Sequence, residues 1–278
     1  MTPRVSIAVC VALVAALAAS CTDLPPDSAA ARTVDVTAEP SSSPIPREFL
    51  ELGVDAPSRV GEQPRATEVP APRSLERSAW VLRAEGNRLV VWTDPRAKDR
   101  IRTKVDAVNP WGQQVAFPVM QVAVVQGDAW YRVLLGIAPN GSRGWVRAGD
   151  VTFHRVRHRV TIDLSERALR HYRNGHLRHR FSVGVGAAGT PTTSGRFFVW
   201  AVLEPRDPTG PYGSYLLGLS GFSEVLTDWP GGGRIAIHGT ADPSDRGRPV
   251  SHGCARVYVL QMDRLRNIPM GTTVTIQP

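Results

Sequence analysis

From about Trp80 onwards, the sequence is a series of short apolar runs separated by turn signals. Runs such as 89–92 and 122–125 are too short for helices and rich in β-branched residues, so they predict strands. Apolar and polar residues alternate over 160–164 and again over 181–185, which predicts strands with one buried face. The chain is therefore predicted to be mainly β.

Turn residues divide these runs into hairpins. Asn174-Gly175 is a typical two-residue hairpin turn, and residues 126–128 and 139–144 provide two more. Strands are also predicted at 115–120, 129–135, 144–147, 197–200 and 273–276, with a short helix at 259–265. Several short strands at this spacing over residues 77–154 favour a small β-barrel, in which Trp130 and Trp145 are predicted to be core residues.

Two segments near the C-terminus carry the chemistry. Residues 235–240 read Ile-Ala-Ile-His-Gly-Thr, and residues 249–257 read Pro-Val-Ser-His-Gly-Cys-Ala-Arg-Val. Cys254 is the only cysteine after residue 21, so it is either an inert core thiol or a nucleophile. A thiol with a histidine in reach is the minimum for acyl transfer, and His238 ends a predicted strand. Gly253 gives the backbone freedom to bring N–H groups close to a reacting carbonyl.

These segments resemble the catalytic signature of the L,D-transpeptidases, the YkuD-type enzymes of the cell wall. That family carries His-Gly-Thr, a dozen residues, then Ser-His-Gly-Cys, an apolar residue and Arg or Asn, and residues 238–240 and 251–256 match each element. The resemblance extends upstream to about residue 158 and implies a YkuD-type, β-rich catalytic domain with short helices over 155–278. The run from 130 to 147 resembles bacterial SH3-like domains, so residues 77–154 are expected to form one, either binding wall peptides or acting as a spacer.

The resemblance implies a role for each residue of the signature. Cys254 would be the nucleophile that forms a thioester, and His238 the general base. His252 stays in contention from the sequence alone, because residues two apart in an extended segment point to one face. The expected supporting groups are the N–H groups of Gly253 and Cys254 as oxyanion donors, the Gly239 carbonyl as acceptor for the imidazole, Ser251 as a polar neighbour, and Arg256 as a loop brace or a contact for a stem carboxylate.

The implied activity is the formation of 3→3 cross-links between peptidoglycan stem peptides, with no metal or other cofactor. Carbapenem β-lactams are expected to acylate the same thiol. Two alternatives stay open: a hydrolase that trims tetrapeptides through the same thioester, and a non-catalytic wall-binding lipoprotein.

Residues 204–233 are rich in proline and glycine and predict a loop. In the resembling family this region helps to form a lid over the thiol, so Tyr212 and Tyr215 are candidate substrate-binding residues, with core packing as the alternative. His171, His176 and His179 lack metal-ligand spacing and are predicted to lie on a solvated basic face.

The N-terminus predicts export. Residues 1–20 combine a short basic region with an apolar run that is too short to span a bilayer comfortably, which is typical of an export signal. Cys21 suggests a lipoprotein signal and a lipid anchor, with ordinary cleavage near Ser20 as the alternative. Residues 21–76 are rich in Pro, Ala and Ser and predict a disordered tether. The mature protein is thus expected outside the cytoplasmic membrane, in the cell envelope.

The net charge of +8 comes almost entirely from arginine. It is consistent with a solvated surface or with residence against an anionic wall or phospholipid surface. The sequence contains no nucleic-acid-binding motif, so no nucleic-acid partner is expected.

Overall fold

A computed structural model describes residues 79–97, 100–227 and 232–278. The predicted export signal, Cys21 and the tether lie outside these residues. The described part contains seventeen strands, one short α-helix and three 3₁₀ helices, so the prediction of a mainly β chain is confirmed. None of its helices is long and apolar enough to cross a membrane.

The first seven strands form one sheet in the order β3-β2-β6-β5-β4-β1-β7. They are β1 (Ala79–Ala84), β2 (Arg88–Trp92), β3 (Ile101–Asp106), β4 (Phe117–Val125), β5 (Asp128–Leu134), β6 (Arg143–Arg147) and β7 (Val151–Val156). Residues 117–120 and 122–125, predicted in two separate strands, belong to the single strand β4, and residues 115 and 116 precede it. Gln126 and Gly127 join β4 to β5 with positive φ angles of 54° and 86°, as a tight hairpin turn requires. The likeness of this sheet to SH3-like domains stays a prediction.

Eight of the remaining strands form a second sheet in the order β10-β9-β8-β17-β12-β13-β14-β16, and two short strands, β11 and β15, pair separately. The strands are β8 (His158–Asp163), β9 (Ala168–Arg173), β10 (His176–Ser182), β11 (Val185–Gly186), β12 (Gly195–Leu203), β13 (Leu216–Phe222), β14 (Arg234–Thr240), β15 (Pro249–Ser251), β16 (Ala255–Tyr258) and β17 (Thr273–Gln277). The predicted short helix is present as α1 (Val259–Met262) followed by a 3₁₀ turn (Asp263–Leu265). The last strand, β17, lies between β8 and β12 rather than at an edge.

Strand β13 corrects the prediction that residues 204–233 are a loop. Leu217 and Leu219 are fully buried, and the strand pairs with β12 on one side and β14 on the other. The sequence did not predict β13 because the strand contains glycines, and glycine has a low strand propensity. Gly221 is needed here, since a Cβ atom at this position would lie 2.4 Å from the Phe197 ring.

Strands β12–β14 rest directly against the first sheet. Phe198 of β12 is fully buried within the core of the first sheet, 6.2 Å from the Phe117 ring. The Asn140 side chain donates to the Phe222 carbonyl and accepts from its N–H, at 2.8 and 2.9 Å. Arg234, the first residue of β14, lies 3.7 Å above the Trp200 ring and donates to the Gly136 carbonyl. The first sheet therefore fixes the start of the strand that carries His238.

Candidate thiol active site

Strand pairing brings Cys254 and His238 to one face of β14. Strands β14 and β16 are parallel, with Ile237 opposite Ala255, so Cys254 lies beside Ala236 and its sulfur has a hydrogen bond to the backbone of that residue. His238 follows Ala236 by two positions and therefore faces the same side of the strand. The Cys254 side chain is partly buried against the apolar cluster that contains Ala236.

His238 is held as a neutral base. Its ring is buried, and Nδ1 lies 2.8 Å from the Gly239 carbonyl, as the sequence predicted. Because a carbonyl only accepts, Nδ1 carries the proton and Nε2 is left with a lone pair. Burial lowers the pKa of His238 to about 4, against a smaller opposing effect of the Gly239 hydrogen bond. The imidazole is therefore uncharged at neutral pH and able to accept a proton.

The thiol is also neutral in the resting site. Burial raises the pKa of Cys254, with the Ala236 hydrogen bond and the Arg256 charge acting in the opposite direction. A thiol whose pKa is raised, on the same face as a neutral imidazole, rests as SH rather than as the thiolate of an ion pair.

Tyr212 lies against the candidate base. Its ring packs edge-on against the His238 ring, with centroids 5.2 Å apart and an interplanar angle of 74°. The Gly239 N–H donates to the Tyr212 carbonyl at 3.0 Å. Gly213 permits this approach, because its φ is +65° and a Cβ atom there would lie 2.9 Å from the Gly239 Cα. The loop before β13 is thus docked on β14 and positions Tyr212 at the site.

Tyr215, the other predicted substrate contact, is a core residue. Only 1% of its surface is exposed, and its hydroxyl donates to the Arg266 carbonyl at 2.8 Å. Its side chain packs with the core of the second sheet, so the core-packing alternative describes it.

Ser251 organises the turn that presents Cys254. Its buried hydroxyl donates to the Cys254 carbonyl at 2.6 Å and accepts from the Gly253 N–H at 3.1 Å. The Gly253 amide, one of the two predicted oxyanion donors, is therefore already engaged in this structure. Gly253 has a φ of +113°, a backbone conformation that any other residue would adopt only with strain. The side chain of the preceding residue, His252, is exposed.

A buried carboxylate that the sequence did not single out holds Arg256. Asp245 Oδ2 lies 3.2 Å from an Arg256 guanidinium nitrogen and accepts from the Thr240 hydroxyl at 2.8 Å. Strand pairing places Arg256 directly beside His238. Of the two roles predicted for Arg256, this contact favours the loop brace. The available sequence signal was weak, because Asp245 is one of two aspartates in the short polar loop between β14 and β15.

The three histidines predicted to lie on a solvated face have different environments. His176 is exposed, but only 4% of the His171 surface is exposed, and His171 stacks between His158 and His179. The prediction was wrong for His171 because pairing of β8, β9 and β10 covers it. Within the described residues, no group of three or more His, Cys, Asp or Glu side chains is placed to hold a metal ion.

The geometry defines a class of site: a thiol and a buried, neutral imidazole on one face of a strand, the two groups that acyl transfer requires. Residues 157–276 match the YkuD family, described as the L,D-transpeptidase catalytic domain. The YkuD protein of Bacillus licheniformis is 34% identical over 124 residues, which are 44% of this chain and 67% of that protein. YkuD of Bacillus subtilis strain 168 is 30% identical over 122 residues, or 44% of this chain and 66% of that protein.

The chain thus belongs to the YkuD family of L,D-transpeptidase catalytic domains, and it spans about two thirds of the length of these two relatives. Among solved structures, the catalytic domain of the Enterococcus faecium L,D-transpeptidase acylated by ertapenem is 24% identical, with a TM-score of 0.32. That match covers 43% of this chain and 95% of the solved one.

Burial of His238 predicts a loss of stability in acid. The pKa falls from 6.5 in the unfolded chain to about 4 in the folded protein, so the unfolded state binds more protons between these values. Stability is fully present above about pH 6.5 and is lost as the pH falls towards 4. We expect this residue to lower the free energy of unfolding by roughly 2 kcal/mol between pH 7 and pH 4.5.

Denaturant unfolding gives the free energy of unfolding of wild type and His238→Gln at both pH values. The wild type should lose more of this free energy between pH 7 and pH 4.5 than the variant, and the difference is the contribution of His238. His158 and His171 remain in both proteins, so their own acid sensitivity cancels. His252→Gln serves as the exposed-histidine control. A wild-type pH dependence that survives unchanged in His238→Gln would contradict the assignment.

Proposed function

We propose that the protein is an extracytoplasmic L,D-transpeptidase that forms 3→3 cross-links between peptidoglycan stem peptides through a Cys254 thioester. The observation that carries this proposal is the placement of Cys254 and a neutral, buried His238 on one face of β14. Membership of the YkuD family supports the same reaction class.

In this mechanism His238 Nε2 accepts the thiol proton as Cys254 Sγ attacks the carbonyl of the third stem residue, a diamino acid. The carbonyl carbon becomes tetrahedral and its oxygen takes the negative charge. The imidazolium then protonates the departing amine of the terminal D-alanine, the C–N bond breaks, and a thioester remains. Next, the side-chain amine of a second stem attacks the thioester and gives its proton to His238. The new amide forms and the proton returns to Cys254.

Three neighbouring groups assist these steps. Tyr212 covers one edge of the imidazole and restrains its ring, while the Gly239 carbonyl fixes the tautomer with Nε2 unprotonated. Since Ser251 occupies the Gly253 N–H, the Cys254 N–H is the proposed first donor to the oxyanion. Losing one such donor typically costs about two to three orders of magnitude in rate.

Product analysis tests the reaction. Purified protein is incubated with disaccharide tetrapeptides, and the products are identified by mass spectrometry, with Cys254→Ser as the control. The proposal expects a dimer that has lost one D-alanine for each cross-link. Tripeptide monomers alone would assign hydrolytic trimming instead, and no product in either protein would leave a wall-binding role.

A carbapenem is expected to acylate Cys254. The strained amide of its β-lactam ring resembles the amide that the thiol attacks in the donor stem. Attack opens the ring and leaves the acyl group attached to the Cys254 sulfur. Intact mass of wild type and Cys254→Ala after incubation measures the adduct. We expect one adduct per wild-type chain and none in the variant; an adduct of equal yield in both proteins would place the reaction elsewhere.

Export and anchoring belong to the same proposal. If Cys21 carries lipid, the full-length protein should partition with membranes, and Cys21→Ser should release it or stop its processing. Fractionation of cells that express either form measures this partition. Equal solubility of both forms would leave ordinary secretion as the route.

A further inference from the structure

A polar cavity of about 290 Å³ lies between β8–β10 and the segment that follows α1. We call it the histidine–arginine cavity. It is lined by His158 from β8, His171 and Arg173 from β9, Arg178 and His179 from β10, and Arg264 and Asn267 from the segment after α1. None of these residues takes part in the thiol site, and β10 and β16 are opposite edge strands of the sheet.

The pairing of three strands builds one wall of this cavity. His158 lies opposite Arg173, and His171 lies opposite both Val160 and His179. The register slips between Leu177 and His179, which leaves Arg178 as an extra residue in β10. Such a bulge redirects a side chain, and here it allows Arg178 and its neighbour His179 to line the same cavity.

The three histidine rings form a continuous stack between the hydrophobic core and the polar cavity. His158 Nδ1 lies 3.0 Å from His171 Nε2, and the ring centroids of His171 and His179 are 5.6 Å apart. His179 in turn stacks on Phe181 of the core. The His171 side chain is almost fully buried, yet its Nδ1 has no hydrogen-bond partner among the described residues. Most buried polar atoms have a hydrogen-bond partner, so the described residues leave this nitrogen unsatisfied.

The charges around the cavity are all of one sign. Arg173, Arg178 and Arg264 are exposed, and none forms an ion pair with another described residue. Among the described residues, no carboxylate lines the cavity, and the nearby Asp263 is paired with Arg266.

These cations also act on the histidines. Burial lowers the pKa of His158 and His171 to about 4, and the Arg173 charge adds to both shifts. Burial, Arg264 and Arg178 lower the pKa of His179. Within the described residues, three guanidinium groups and three titratable rings, from every element that lines the cavity, therefore lie together without a compensating negative charge. A bound anion would remove this repulsion.

We propose that the histidine–arginine cavity binds a phosphate group. A carboxylate has two oxygens, and one guanidinium fork satisfies both. Three guanidinium groups from three separate elements suit a tetrahedral anion with oxygens directed to several sides. The phosphate belongs to a free ion, a lipid headgroup or a phosphodiester polymer of the envelope.

Binding assays on the full-length chain distinguish these sources. The three probes are inorganic phosphate by calorimetry, phosphatidylglycerol vesicles by co-sedimentation, and soluble poly(glycerol phosphate) by calorimetry. Each single variant, Arg173→Gln, Arg178→Gln or Arg264→Gln, is expected to weaken binding about tenfold, and the triple variant to abolish it. Arg88→Gln, an exposed arginine of the first sheet, is the matched control.

Binding that the triple variant loses supports the proposal, and the probe that binds tightest identifies the source. Equal binding by wild type and triple variant, or no binding of any probe, overturns it. Carbapenem acylation of Cys254 is expected to persist in the triple variant, so this site and the thiol reaction fail or succeed separately.

Proton linkage gives an independent readout. Dimethyl phosphate keeps one negative charge from pH 8 to pH 5.5, so any change in its affinity over that range comes from the protein. An anion beside the rings favours their protonated forms, and we expect its affinity to rise as the pH falls. A flat profile, together with unshifted imidazole resonances of His158, His171 and His179 when phosphate is added, would contradict the site.

Discussion

Replacing His238 with alanine is expected to slow acylation of Cys254 by about two orders of magnitude or more, the usual range for a lost general base. The reason is structural: His238 is neutral, buried and fixed by Gly239 on the face of β14 that Cys254 adjoins. His252→Ala is the matched control, because His252 is two residues from the thiol but its side chain is exposed. The His252→Ala substitution should slow acylation less, by loosening the turn that presents Cys254.

Single-turnover acylation by a carbapenem, followed from pH 6 to pH 10, measures both variants. The His238→Ala protein should recover part of its rate at high pH, where the thiol ionises without a base. Because burial raises the pKa of Cys254, this recovery should lie above the ordinary titration range of a thiol. A larger loss and a high-pH recovery in His252→Ala would reverse the two roles.

Gly186→Ala is expected to destabilise the fold by about 3 kcal/mol, at the upper end for forced overpacking, and to slow acylation about 10- to 100-fold. A Cβ atom at Gly186 would lie 2.3 Å from the Thr190 carbonyl oxygen and 2.4 Å from the Thr192 nitrogen. Both obstacles are backbone, so the loop must move. That loop supports the thiol turn, because the Ala187 N–H and the Thr190 hydroxyl both donate to the Ser251 carbonyl.

Gly189→Ala is the control within the same loop, since a Cβ atom there would have nothing within 4 Å. Denaturant unfolding and carbapenem acylation are measured for both variants. Equal stability and equal acylation rates for the two would show that the loop does not hold the Ser251–Cys254 turn.

Local rules predicted much of the fold. Alternation placed Val160 and Ile162 on a buried face, and both are fully buried. Asn174-Gly175 predicted the β9–β10 hairpin, and both residues have the positive φ angles that such a turn needs. These features depend on neighbours in sequence. Strand β13 was missed because the packing of Phe197 against Gly221 depends on residues far apart in the chain.

The candidate site shows the same division. The roles of Cys254 and His238 stay predictions from the sequence motif. The motif did not predict the hydrogen bond from the Gly253 N–H to Ser251, because that contact depends on the conformation of the turn. The burial of His171 could have been predicted from the sequence. His171 follows the buried Leu169 by two positions in one strand, so both side chains lie on the same face. Its contacts with His158 and His179 depend on strand pairing and could not be predicted.

The contact between the two sheets determines what happens when the chain is cut. A protein that began at residue 157 would expose Phe198 and Trp200 to water and leave Arg234 without the Gly136 carbonyl. Its strands would expose an apolar surface next to the first residues of β14. The two halves are thus expected to unfold together in one transition, and a purified C-terminal half to self-associate, because each half completes the interior of the other.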